Sequence, residues 1–99
     1  MGRFYFTRKA VDDLSEIWEY TYETWSEKQA DHYYQLLITA CQTLADNPQL
    51  GKKYEEVLPD LLGYSLHRHI LFYRSISSSE IEIIRILHGR MDLKNRIKE

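Results

Sequence analysis

Apolar side chains alternate over Arg3–Phe6, with Phe4 and Phe6 on one side, which is the period of a short strand. The spacing then changes. From Thr7, a residue suited to cap a helix, Val11, Leu14, Trp18, Thr21 and Trp25 fall on one helical stripe widened by Ala10, Ile17 and Tyr22. Asp12, Asp13, Glu16, Glu19 and Glu23 take the opposite, polar face. Ser26 and Gln29 form an S-x-x-Q capping box for a second helix. Its stripe is Ala30, Tyr33, Tyr34, Leu37, Ile38, Cys41, Leu44 and Ala45. So short a connection at Trp25–Ser26 predicts an antiparallel helical hairpin. Asn47-Pro48 ends it, because proline has no amide for the next helical bond.

Residues 47–62 read as loop, punctuated by Gly51 and Pro59. Strands follow near Leu62–Ser65 and His69–Ser75, joined by a tight turn at Leu66–Arg68. After a turn at Ser77-Ser78-Ser79, the run from Glu80 to Leu87 is β-branched and apolar enough to lie centrally in the sheet. Met91–Glu99 is a polar, basic tail with a short frayed helix. The order β-α-α-β-β-β predicts an α+β fold, with a helical hairpin packed on one face of a small antiparallel sheet and the other face left free. No linker or repeat divides the chain, so residues 1–99 form one domain.

Charge and composition narrow the function. A net charge of −2 disfavours strong direct binding of nucleic acid, which is driven by counterion release against Lys and Arg. Cys41, the single cysteine, rules out an internal disulfide and reads as a core thiol. No apolar run is long enough for a membrane span, and the N-terminus lacks the apolar core of a secretory signal, so the cytoplasm is expected. Eight tyrosines and two tryptophans are many for 99 residues. Tyr20, Tyr22, Trp25, Tyr33 and Tyr34 exceed what one face of a hairpin buries, which leaves rings for a partner groove.

Candidate chemistry is sparse. No phosphate loop, Ser-His-Asp order or Cys-His pair is present, so no catalytic residue, metal or cofactor is expected. His67 and His69 share a face but lack a third ligand at a demanding spacing, and His32 reads as solvated. His88, before Gly89 and two residues from Arg90, is suited to proton transfer beside a cation, or else with Asp92 simply fixes the turn. Arg74 and Arg85 lie in apolar strands, each either paired with a carboxylate or displayed on the free face. With Arg68 and Arg90 they would make a local basic patch, which Lys52 and Lys53 would extend, although two solvated lysines are the simpler reading.

A hairpin ending in Ala45-Asp46-Asn47-Pro48-Gln49-Leu50-Gly51, then His69-Ile70-Leu71-Phe72-Tyr73-Arg74, then Ile84-Arg85-Ile86-Leu87-His88-Gly89-Arg90-Met91-Asp92 resembles the ParE toxins. These belong to the RelE/ParE superfamily of bacterial toxin–antitoxin systems, and the resemblance covers almost the whole chain. It implies a toxin that poisons DNA gyrase without catalysis and is neutralised by a ParD-like antitoxin in a hetero-oligomer. It places target contacts at Arg74, Arg85, His88 and Arg90, and antitoxin contacts at the ring set, taken as Trp18, Tyr22, Trp25 and Tyr33. The chain departs from the family pattern at Leu62, where many relatives carry arginine, and at His67, in place of a common turn glycine. The first change removes a charge from the functional face; the second loosens the turn. A RelE-like, ribosome-dependent mRNA endonuclease and an inactive antitoxin-bound module are the alternatives. The nuclease fits less well, because Lys94, Arg96 and Lys98 follow Asp92 with no Tyr or His among them.

Overall fold

Thr7 sits where the first strand, β1 (Arg3–Phe6), becomes the first helix, α1 (Arg8–Thr24). Its extended backbone (φ −70°, ψ 163°) lets the hydroxyl accept the Ala10 amide, a true N-cap. Ser26 does the same for Gln29 at the start of α2 (Glu27–Asp46), so the expected N-cap is made and Trp25–Ser26 turns the hairpin. Pro48 opens a short 3-10 turn, Pro48–Leu50. The remaining elements are β2 (Lys52–Lys53), β3 (Leu62–Leu66), β4 (His69–Ser77), β5 (Glu80–His88) and α3 (Leu93–Lys98). This computed structural model describes residues 1–98; the tail's last residue, Glu99, lies outside them.

The sheet has five strands in the order β1-β5-β4-β3-β2. Three of its pairings are antiparallel, and two of these, β3–β4 and β4–β5, are those that the sequence predicts. The fourth is not: β1 runs parallel to β5, Arg3 facing Glu80 and Phe6 facing Ile83. The physical reason is the crossover: the helical hairpin carries the chain to the far edge at β2, and three antiparallel steps back through β3 and β4 bring β5 beside β1 in the same direction. The expected all-antiparallel sheet is therefore mixed. Lys52 and Lys53, expected in a loop, form the outer edge strand, where exposed lysines discourage further strand pairing.

Two cores sandwich the sheet. Under the hairpin lie Leu14, Leu37, Cys41, Leu44, Leu71, Tyr73, Ile81 and Ile83. On the opposite side Phe72, Ile70 and Leu87 pack with Leu61 and Ile97, and Tyr54, Val57, Leu58 and Leu93 close over them. The face expected to be free is thus covered by the 54–61 segment and α3. A strand that is apolar on both sides, as β5 is, demands this second cover. Gly63 permits it: a Cβ there would stand 2.6 Å from the Tyr54 ring, which packs edge-on against Phe72 at 5.1 Å.

β5 outruns β1, so its edge beyond Ile83 needs other partners. A register shift makes Ile84 the extra residue, since Tyr73 faces Ile83 while Phe72 faces Arg85. The Thr7 hydroxyl then donates to the Ile84 carbonyl at 2.7 Å, and the Ile86 amide donates to Asp13 at 3.0 Å. Asp13 also accepts two bonds from Arg85, 2.7 and 2.9 Å long, and Arg85 donates to the Arg96 carbonyl of α3 at 2.6 Å. Both residues are 6% exposed, which corrects the expectation that Asp13 lies on the polar face. Conversely Val11, Tyr22 and Trp25 from the expected stripe are exposed, at 45%, 50% and 72%.

Candidate functional site

The β3–β4 turn brings chemistry to one corner of the sheet. His67 occupies it with φ +54°, a left-handed conformation that favours glycine. The Gly89 amide donates to the Arg68 carbonyl at 2.9 Å, so the exit of β5 is tied to this turn. Pairing across the β4–β5 hairpin sets His69 opposite His88, their rings edge-on with centroids 5.6 Å apart. From α2, the Tyr33 hydroxyl lies 2.7 Å from His69 Nδ1, and its ring touches both His67 and His69. His88 Nδ1 accepts the Arg90 amide at 3.1 Å. That bond leaves the proton of the neutral His88 ring on Nε2.

An open groove of about 970 Å³ runs from this corner to the hairpin. Ile17, Tyr20, Trp25, Tyr33, Leu36 and Met91 supply its apolar wall, while His88, Arg68 and Arg90 stand at the corner. Burial, reinforced by neighbouring His88 and only partly offset by Asp13, lowers the His69 pKa to about 4. Burial likewise raises Tyr33, with Arg68 opposing it. Both groups are therefore neutral at pH 7.

The His69 shift has a consequence for stability. Its ring binds a proton more readily unfolded (pKa about 6.5) than folded (about 4), so acid favours unfolding. The full contribution is present above pH 6.5 and declines as pH falls towards 4. Urea unfolding at pH 7.5 and pH 5 should show the loss, and His69→Gln should lose less than the native chain over that interval. Equal pH dependence would show that His69 does not titrate this way.

The expected contact residues do not gather in one place. His88 and Arg90 line the groove; Arg74 instead pairs with Glu82 at 3.4 Å beside a separate depression formed with Lys53, Asp60 and Ile76. Arg85 is buried against Asp13, so the paired alternative holds and a directly exposed contact is corrected. Trp25 and Tyr33 line the groove. Trp18 and Tyr22 do not; they stack on each other at 5.3 Å, and Trp18 Nε1 donates to Asp31. The His88 turn reading is also realised, since His88 accepts the Arg90 amide while Asp92 bonds Asn95 at the start of α3. The sequence reading missed the Tyr33–His69–His88 association, together with Leu36 and Met91 as lining. Counting outward from the Ser77–Ser79 turn does give the His69–His88 pairing, because the extra residue in β4, Ile76, and the extra residue in β5, Ile84, cancel. Among the described residues, no group of three or more His, Cys, Asp or Glu is arranged to hold a metal. No helix of the described residues is long and apolar enough to cross a membrane.

Residues 4–93 match the family model described as ParE toxin of type II toxin-antitoxin system, parDE. The chain is 35% identical to Toxin ParE1 of Mycobacterium tuberculosis (strain CDC 1551 / Oshkosh), over 97% of this chain and 98% of that protein. It is 30% identical to Toxin ParE1 of Caulobacter vibrioides, over 95% and 96% of the two chains. A solved structure described as a chromosomal ParDE TA system from P. aeruginosa superposes with a TM-score of 0.74. That match is 22% identical, spans 89% of this chain and 96% of the other, and establishes likeness of fold.

Proposed function

The chain belongs to the ParE toxin family of type II toxin–antitoxin systems, and from that premise we propose that it acts in the cytoplasm by binding and inhibiting DNA gyrase. We further propose that a ParD-like antitoxin neutralises it by laying an amphipathic segment along the groove. The observation that carries this reading is the groove itself, a long apolar trough with exposed Tyr20, Trp25 and Met91 beside a cationic corner. Such a trough is the shape that takes the apolar face of a partner helix. Trp25 and Tyr33 are assigned to the antitoxin from within it, and Trp18 and Tyr22 from the flank of α1. His88 and Arg90 are assigned to the target at its corner, with Arg74 as a separate contact and Arg85 acting indirectly by holding α1 and α3 to β5. A bound antitoxin would cover His88 and Arg90, which accounts for neutralisation by occlusion.

One observation favours a second reading, ribosome-dependent mRNA cleavage: Tyr33, His69 and His88 stand together at a corner that also carries Arg68 and Arg90. Proton-transfer catalysts work best with a pKa near the working pH. His69, lowered to about 4, and Tyr33, raised above its ordinary value, are both mistuned for that work at pH 7. Binding is the better supported reading.

Purified toxin is expected to inhibit gyrase supercoiling or trap cleaved DNA. Unaffected gyrase, with mRNA cut on translating ribosomes, would reverse the assignment. Neither activity, with tight antitoxin binding retained, would mark an inactive module.

A further inference from the structure

The groove has a charge opposite to that of the chain that builds it. The protein as a whole carries −2, yet Arg68 and Arg90 stand at the groove's corner with no ion-pair partner among the described residues. The lining contains two carboxylates. Asp13 has both oxygens committed to Arg85 and one also to the Ile86 amide, so it does not neutralise the corner. Glu16, on the exposed side of α1, is the other. His88 adds a donor, because the Arg90 amide occupies Nδ1 and leaves Nε2–H available. The Gly89–Arg68 backbone bond holds the Arg68 and Arg90 segments together, so the three donors belong to one small area.

We propose that this corner is a carboxylate-binding subsite, and that the groove's occupant is an amphipathic peptide segment whose apolar stripe lies along the trough while an acidic side chain is held by Arg68, Arg90 and His88. This rests on the antitoxin reading above and gives its partner a chemistry. Guanidinium groups hold carboxylates through paired, charge-assisted hydrogen bonds, and such contacts select among partners more than they raise bulk affinity. A single-stranded nucleic acid is the competing anionic occupant. It is disfavoured because the wall is built from Ile17, Leu36 and Met91 as well as rings, and because the whole chain repels polyanions.

The test uses the full chain and three fluorescent amphipathic helical peptides with one shared Leu/Ile stripe, their polar positions filled by Glu, Gln or Lys. Anisotropy at low salt should show the Glu peptide binding about tenfold tighter than the Lys peptide, the scale of one good charge contact. The preference should shrink at high salt. Arg68→Ala with Arg90→Ala, both at exposed positions, should bring the Glu peptide to the affinity of the Gln peptide; Arg68→Glu with Arg90→Glu should make Lys the preferred peptide. Circular dichroism confirms that each variant is folded. Equal binding of Glu and Lys peptides, a preference that survives the double alanine change, absence of binding by all three, or tighter binding of an oligouridine would overturn the proposal. None of these outcomes bears on gyrase inhibition, which the supercoiling assay judges separately.

Discussion

Asp13→Ala is expected to cost ~3–5 kcal/mol of folding free energy, the penalty for leaving one member of a buried ion pair without the other. A domain of this size is stable by only about 5–15 kcal/mol, so the loss removes a large share of the whole and should lower the denaturant midpoint sharply. Three bonds converge on that carboxylate, two from Arg85 and one from the Ile86 amide. Alanine removes the charge facing the guanidinium and exposes an unsatisfied strand edge at once. Asp13→Asn keeps an acceptor and should cost less. Asp13→Leu with Arg85→Met should cost less than the sum of the two single changes, because an apolar pair needs no mutual neutralisation. Urea unfolding of the five variants, the single changes Asp13→Leu and Arg85→Met among them, checks this. A loss below about 1 kcal/mol for Asp13→Ala, the scale of an exposed ion pair, would mean that the pair is solvated in solution.

Phe72→Ala is expected to cost ~3–5 kcal/mol as well, the range for emptying a buried aromatic site. This measurement decides between two pictures of the sheet. Were the face away from the hairpin open, Phe72 would touch little and its loss would be nearly neutral. In the fold described, Phe72 is wholly buried beneath Tyr54, Leu61 and α3, so truncation opens a cavity. A denaturant midpoint close to the native value would favour the open face.

Local signals in the sequence were legible where one residue's chemistry decides one turn of backbone. Thr7 and Ser26 cap the helices that their types announce, Pro48 stops the second, and the β-branched run from Glu80 lies inside the sheet. The features that escaped depend on distant partners. Asp13 has the spacing of a solvent-facing acid, and only Arg85, 72 positions away, makes it a core residue. The 54–61 segment has no periodicity to betray that it covers a sheet. Parallel pairing of β1 is invisible in four alternating residues. At the site, His88, Arg90, Trp25 and Tyr33 were legible as types with surplus chemistry, and they do line one groove. Their association with His69 was not, because it needs Tyr33 of α2 to pack over a strand 36 positions away.

The parallel pairing of the first strand with β5 joins two segments that a ribosome makes far apart in time. Until Glu80–Ile83 has emerged, β1 has no neighbour, Thr7 has no carbonyl to grip, and Asp13 waits for a guanidinium not yet translated. Contacts so widely separated along the chain close late in folding. A nascent copy therefore cannot complete this assembly before β5 is made, and an interrupted translation product that stops short of β5 lacks both the groove's corner and the strand that organises the rest.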